Sequence, residues 1–273
     1  MRDTAEQILP PRPRDYAGFN WMGFSTLYLR EVRRFWKVGM QTVAAPVVTT
    51  LLYMMVFVVA VGGSRPGVQG IPFGVFVAPG LILMAILNNA FANSSSSLLQ
   101  AKMMGLTPDF LTPPLSALEQ VLAFTLGAAT RGIVVGAVTA LTIFVLPFTH
   151  LSISHLWAVL YFAAGASLLL GLLGVLTGLW SEKFDHLAGI TNFLIMPMTF
   201  LSGTFYLVDR LPEPFRSASH YNPFFYLIDG FRYGFIGHAD SNIMVGVVLT
   251  AALNAALFLT CYRIFVTGWR LKT

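Results

Sequence analysis

The sequence predicts an all-α integral membrane protein with about six transmembrane helices, an N-terminal interfacial amphipathic helix and a re-entrant outer segment between spans 5 and 6. Three observations predict it. Of 273 residues, 56% are hydrophobic and 11% charged, and mean hydropathy is +0.70, whereas soluble domains carry about 25% charged residues. Apolar runs of about 20 residues recur, each enough at about 1.5 Å per residue to cross a hydrocarbon layer of about 30 Å. Lys and Arg collect at the ends of those runs instead of forming a patch. The net charge of +5 therefore reports topology and not nucleic-acid binding.

The chain reads as one transmembrane domain over residues 1–273. Residues 1–18, with Arg2, Arg12, Arg14, Pro10, Pro11 and Pro13, are expected as a flexible cytoplasmic tail, and no apolar h-region follows at signal-peptide distance. Over residues 19–38, Trp21, Phe24, Leu27, Tyr28 and Leu29 alternate with Arg30, Glu31, Arg33, Arg34 and Lys37. Aromatics on one face and charges on the other suit a helix lying in the headgroup layer.

The first span, about 41–61, carries Pro46 early, and a Gly/Pro turn with Arg65 leads to the second, about 73–93. The far end of that span holds Asn88, Asn89 and Asn93, then Ser94 to Ser97. Either these amides and hydroxyls face other helices or water, or the span stops at Leu87 and the serines form a loop. Residues 102–120 are the longest inner connection. Thr107-Pro108-Asp109 is a helix-start pattern, Phe110 and Leu111 follow, and Pro113-Pro114 stop the helix. A one- or two-turn helix presenting Phe110 and Leu111 is expected.

The third span, about 119–148, contains Arg131, expected to snorkel to the inner headgroups, the alternative being an Arg facing a pathway or a dimer seam. The fourth, about 156–180, has Gly165, Gly171, Gly174 and Gly178 for close helix packing. A charged inner turn with Glu182, Lys183 and Asp185 precedes the fifth span, about 187–206. Beyond it, Phe215, Tyr221, Phe224, Phe225, Tyr226 and Phe231 are too many aromatics for a solvated loop, and Pro212, Pro214 and Pro223 lack an amide donor. Residues 207–232 are therefore expected to return into the outer leaflet as short broken helices, with Asp229 and Arg232 placed to pair. The last span, about 242–266, ends in the anchor Trp269, Arg270 and Lys272. Of 17 Lys and Arg, only Arg65, Arg210, Arg216 and Arg232 fall outside, with Arg131 unassigned. That places both termini in the cytoplasm.

No catalytic constellation is present. The chain has no G-x-x-x-x-G-K-[ST] phosphate loop, His150 and His155 have no carboxylate or Cys beside them, and Cys261 is the single cysteine. Leu201-Ser202-Gly203 imitates the start of an ATPase signature but continues Thr-Phe-Tyr at the end of an apolar run. No catalytic or metal-ligating residue is assigned.

Residues Pro197, Phe200, Leu201, Ser202, Gly203, Phe205 and Tyr206, followed by Leu211-Pro212, Asn222-Pro223 and Arg232, resemble the fifth-helix region of ABC-2 permeases, the transmembrane subunits of ABC exporters. The nearest branch in pattern is the drug-resistance and nodulation lipooligosaccharide exporters. The resemblance implies a bacterial inner-membrane permease that moves an amphipathic or lipid-linked substrate out of the cytoplasm or inner leaflet. It also implies a dimer of this chain over two copies of a separate ATPase. ATP and Mg would sit on that partner, no cofactor on this chain, and the other contact would be membrane lipid. Thr107, Pro108, Asp109, Phe110, Leu111, Thr112 and Pro113 would seat in the ATPase. Glu182 and Asp185 would be a second contact or a solvated turn. Asn88, Asn192, Met196, Thr199, Phe200 and Ser202 would line or gate the path, and Leu211, Pro212, Asn222, Pro223 and Arg232 would belong to an outer lid. The alternatives are a polysaccharide or O-antigen-type exporter permease, and an integral-membrane lipid-modifying enzyme.

Overall fold

The computed structural model describes residues 18–58, 70–146 and 151–270, and every element among them is helical. Helix α1 (Trp21–Trp36) buries Leu27, Glu31 and Phe35, spaced four apart on one face. Its N-cap is Asn20, whose side-chain oxygen accepts the Gly23 N–H at 2.9 Å. A bend of 76° separates α1 from the next helical run, and α1 advances along a later helix from Glu119, beside Asn20, to Gly127, beside Glu31. The run begins as a π-helical segment, Met40–Ala44, and continues as α2 (Ala45–Val56). Pro46 explains the widening: a proline ring crowds the carbonyl four residues back and supplies no N–H.

Helix α3 (Phe73–Met103) has 31 residues, and α4 (Pro108–Leu111) is a single turn. Helix α5 (Ala117–Val145) starts on a capping box in which Ser116 and Glu119 satisfy each other's backbone N–H. Then come α6 (Leu156–Trp180), α7 (Phe184–Ile190), a second π segment, Thr191–Ile195, and α8 (Met196–Phe200). This π segment also lies just ahead of a proline, Pro197. A 3₁₀ turn (Val208–Arg210), α9 (Phe215–Tyr221), α10 (Pro223–Ile236) and α11 (Ile243–Thr267) complete the chain.

Among the described residues, four helices, α3, α5, α6 and α11, are long and apolar enough by themselves to cross a membrane, or five spans if the bent α1–α2 pair is counted as one. Two expected spans do not meet that test on their own. In the fifth, α7, the π segment and α8 follow one another without interruption over 184–200 and the chain then turns at 201–203, short of the expected end at 206. The first carries a π segment ahead of Pro46, and its expected end near residue 61 lies outside the described residues. The second span is longer than expected: α3 continues ten residues past 93, with Ser94, Ser95 and Ser97 buried inside it. The inner connection shrinks accordingly to residues 104–116.

Helix α3 is the centre of the bundle. Its most apolar window is 83% buried, against 11% for α11, whose apolar surface is left facing outward. Gly174 and Gly178 let α6 press onto α3: a methyl added at Gly174 would lie 2.6 Å from the Phe91 carbonyl oxygen. One core cluster gathers Phe76, Leu83, Phe162, Ile228 and Phe231. A second gathers Leu27, Leu98, Phe124, Val175 and Phe265 at the end covered by α1.

That end is basic and fastened by main-chain acceptors. Lys102 Nζ donates to the Leu179 and Ser181 carbonyls at 2.7 and 2.9 Å, and Arg270 Nη1 to the Trp180 carbonyl at 2.6 Å. The Asn20 N–H donates to Glu119 Oε1 at 2.6 Å, and Asn20 Nδ2 to the Pro114 carbonyl at 3.1 Å. The first and last described residues thus lie at the same end of the bundle.

Candidate transport cavity and docking end

A cavity of about 890 Å³ opens between the two π-widened runs and the centre of the bundle. Gln41, Thr49, Thr50 and Tyr53 line it from the first run, Leu81, Met84, Asn88, Asn89, Ser95 and Ser96 from α3, Arg131 from α5, and Phe184, Leu187, Thr191 and Met196 from the α7–α8 run. The π segments contribute Gln41 and Thr42 on one side and Thr191 on the other. One part of the lining is amide, hydroxyl and guanidinium, and another is Leu81, Met84, Tyr53 and Leu187. Such a surface accepts both ends of an amphiphile.

The polar part is built on one face of α3. Asn88 and Asn89 return their Nδ2 donors to the Met84 and Ala85 carbonyls, each at 3.0 Å. Arg131 Nη2 then donates to Asn89 Oδ1 at 3.2 Å. Arg131 does not snorkel along α5. It reaches sideways at its own level, since the neighbouring Gly132 abuts Ile86 and Ala90 of α3. One turn nearer the basic end, Arg34 Nη2 donates to the Asn93 carbonyl at 2.6 Å and to Asn93 Oδ1 at 3.0 Å. Glu31 is fully buried there. Its Oε1 accepts from Ser97 Oγ at 2.9 Å, and it pairs with Arg30 at 3.2 Å and Arg34 at 3.4 Å.

Sequence reasoning placed Glu31 on the solvated face of α1 and gave Arg34 no partner. The signal was available: Leu27, Glu31 and Phe35 repeat every four residues, which sets a carboxylate inside the apolar stripe. Gly127 of α5 makes room for it, because a methyl there would lie 2.6 Å from Glu31 Cβ.

The expected path residues separate. Asn88 and Met196 line the cavity. Asn192 is exposed on the outward side of the π segment beside Phe193, which is 86% exposed. Thr199 and Ser202 are buried and return their hydroxyls to the Ile195 and Met198 carbonyls. Phe200 stacks on Phe205 with ring centroids 5.4 Å apart.

The segment after Tyr206 folds back onto the bundle. Asn222 caps α10 through the Phe224 N–H at 3.0 Å, and its Nδ2 donates to the Met198 carbonyl at 2.6 Å and to Ser202 Oγ at 3.0 Å. Pro212 is exposed, Leu211 and Pro223 are half-buried, and the aromatics divide: Phe224, Phe225 and Phe231 are buried, while Tyr221 is 90% exposed. Asp229 and Arg232 act on each other as charges but make no direct ion pair. Asp229 takes the N–H groups of Asp240 and Ser241 at 2.9 and 2.8 Å and the Ser241 hydroxyl at 2.6 Å. Buried Arg232 bonds the Gly203 carbonyl, lies 4.1 Å from the Phe76 ring centre and meets Asp240 at 3.5 Å. A helical turn sets the two residues near each other, but the tight 237–242 turn offers Asp229 better-placed donors.

At the basic end, α4 stands beside α1. A second cavity of about 600 Å³, between α1 and the end of α3, is lined by Arg30, Arg33, Arg34 and Lys37 together with Asp109. Thr107 is buried, Pro108 and Asp109 are exposed, and Thr112 Oγ1 returns to the Pro108 carbonyl at 2.7 Å. Pro113 is half-buried, and the side chains of Phe110 and Leu111 lie outside the described set. Glu182 and Asp185 are exposed on the neighbouring turn, and Glu182 meets Arg270 at 3.9 Å.

Comparison with known proteins agrees with this architecture. A family profile described as "ABC-2 type transporter" matches residues 22–236. The chain is 31% identical over 255 residues to the inner membrane transport permease YadH of Escherichia coli K12, covering 93% of this chain and 98% of that one. It is 22% identical over 235 residues to nodulation protein J of Rhizobium leguminosarum bv. viciae, covering 84% and 87%. The profile spans α1 through α10, and with it the chain belongs to the ABC-2 type transporter family, as a multi-pass membrane permease.

Proposed function

We propose that this chain is the permease subunit of an ATP-driven ABC exporter that moves an amphipathic or lipid-linked substrate out of the cytoplasm or inner leaflet. Two copies face each other over two copies of a separate ATPase that carries ATP and magnesium. The observation that carries this reading is the 890 Å³ cavity with joined polar and apolar walls, framed by two helices that widen into π turns ahead of Pro46 and Pro197. π turns recur at functional sites and lend a helix room to repack, which a gated route needs. On this reading the two π-widened runs are the first and fifth of six spans, and α9 with α10 forms the re-entrant outer lid. The outward side of the second π segment, with Asn192 and Phe193, meets the second copy.

The basic end is the cytoplasmic side, and α4 seats in the ATPase. The shared Glu119 carboxylate joins the 104–116 connection, α5 and the start of α1, so a push on α4 reaches the cavity walls as a rigid-body movement. Affinity purification of the tagged chain with its co-expressed ATPase tests the assignment. An ATPase of nucleotide-binding-domain size is expected to co-purify, and Phe110→Ala is expected to lower its recovery about tenfold or more while the permease remains monodisperse. Full complex recovery and full transport in Phe110→Ala would contradict it.

A further inference from the structure

We propose that Arg131 recognises an anionic group, a carboxylate, sulfate or phosphate, on the amphiphile held in the main cavity, whose tail lies against Leu81, Met84 and Tyr53. This rests on the cavity being the transport route, and it adds the charge of the substrate to that reading.

Arg131 is the one charged side chain among the described residues lining the cavity, and no carboxylate lines it. Its Nη2 donates to a neutral amide, Asn89 Oδ1 at 3.2 Å, and its Nε is buried without a hydrogen-bond partner. A guanidinium carries five N–H donors in a planar fork suited to two oxygens of one anion. Leaving such donors unmet beside a cavity is costly unless something enters it. The neighbouring carboxylate does not serve Arg131. Glu31 is taken by Arg30, Arg34 and Ser97, and along this face of α3 positive charge remains in excess.

Depth supports the same assignment. Glu31 and Arg34, in the second half of amphipathic α1, meet α3 at Ser97 and Asn93, a level that an interfacial helix can reach. Asn89 and Arg131 sit one helical turn deeper, about 5 Å. An inner-leaflet amphiphile sliding in sideways would bring its headgroup to that level and its chain toward Leu81, which lies two turns further on.

Binding of dansyl-undecanoic acid and of its uncharged methyl ester to the full chain in phosphatidylcholine nanodiscs tests this. The wild-type chain is expected to bind the acid about tenfold tighter than the ester, the worth of one charge-assisted hydrogen bond. Arg131→Gln is expected to erase the preference, and Arg131→Lys to keep most of it. Equal wild-type affinities, or an unchanged preference in Arg131→Gln, overturn the proposal, and the wild-type comparison stands even if a variant fails to fold. Adding phosphatidylglycerol separates the two sources of the anion. Displacement of the acid identifies a membrane phospholipid headgroup as occupant, and no displacement identifies an exported anionic amphiphile; both support the site. Equal affinities with intact ATP-driven movement of both probes would remove the anion site and leave the permease reading standing. Absence of binding of either probe overturns both.

Discussion

Glu31 shows how one residue fixes where a helix sits. A fully buried carboxylate is tolerated only when paired and hydrogen-bonded, and Glu31 has Arg30, Arg34 and Ser97. Removing it leaves Arg34 facing Asn93 with a positive charge and no counter-ion. Glu31→Ala is expected to destabilise the protein by about 2 kcal/mol. That is below the range for a fully enclosed pair because Arg34 keeps 29% exposure. Thermal unfolding in detergent measures it, and an unchanged midpoint would mean that α1 is held by Leu27 and Phe35 alone. Glu31 was legible from its spacing, but a carboxylate among four cationic neighbours reads as solvated until Gly127 is seen to admit it. Arg131 was legible as an intramembrane charge. Its direction was not, because that depends on which face of α3 lies opposite.

At the scale of elements, hydropathy located every long apolar helix, and composition placed α1 in the headgroup layer. What it missed follows from local chemistry. The serines after Asn93 lower the hydropathy of a helix that continues to Met103, because the hydroxyls satisfy themselves on helix carbonyls: Ser95 Oγ donates to the Phe91 carbonyl at 2.7 Å. Ahead of each of the two prolines the helix widens into a π segment, which apolar content does not reveal. The 207–232 segment, expected to return into the outer leaflet as short helices, does contain short helices, but its aromatics do not act as one band. Helix α10 is embedded in the core, while α9 lies outside it with Phe215 56% exposed. Hydrogen exchange in detergent is therefore expected to show amides of α10 protected far longer than those of α9. Equal, fast exchange across both would mean that α10 does not hold as a lid, and equal protection would mean that α9 is covered by lipid or by the second copy.

On the scale of the whole molecule, charge and topology agree. Arg30, Arg33, Arg34, Lys37, Lys102, Lys183 and Arg270 gather at the end that holds both described chain ends, whereas Arg210 and Arg216 lie at the other. The cation bias of the sequence leads to the expectation that this end faces the cytoplasm. The cavity was beyond it, because its walls come from helices far apart in the chain. Cys261 is buried, so single cysteines can be introduced and labelled against a quiet background. Ser152→Cys and Ser217→Cys are expected to react from outside and Ser116→Cys from the cytoplasm. Lys183→Cys serves for the second inner turn, since Ser181 is fully buried. Labelling of Ser152→Cys only from the cytoplasmic side would reverse the topology.

The proposed export route is the cavity between the two π-widened runs. It is tested by ATP-driven movement of a dansyl-labelled amphiphile across proteoliposomes holding the permease and its ATPase, compared with Asn88→Trp, which fills the cavity from α3. The account predicts transport lowered about tenfold or more, with complex assembly intact and ATP hydrolysis retained, as expected when a route of about 890 Å³ loses the volume of an indole. Transport at the wild-type rate through a correctly assembled Asn88→Trp complex would show that the substrate passes elsewhere.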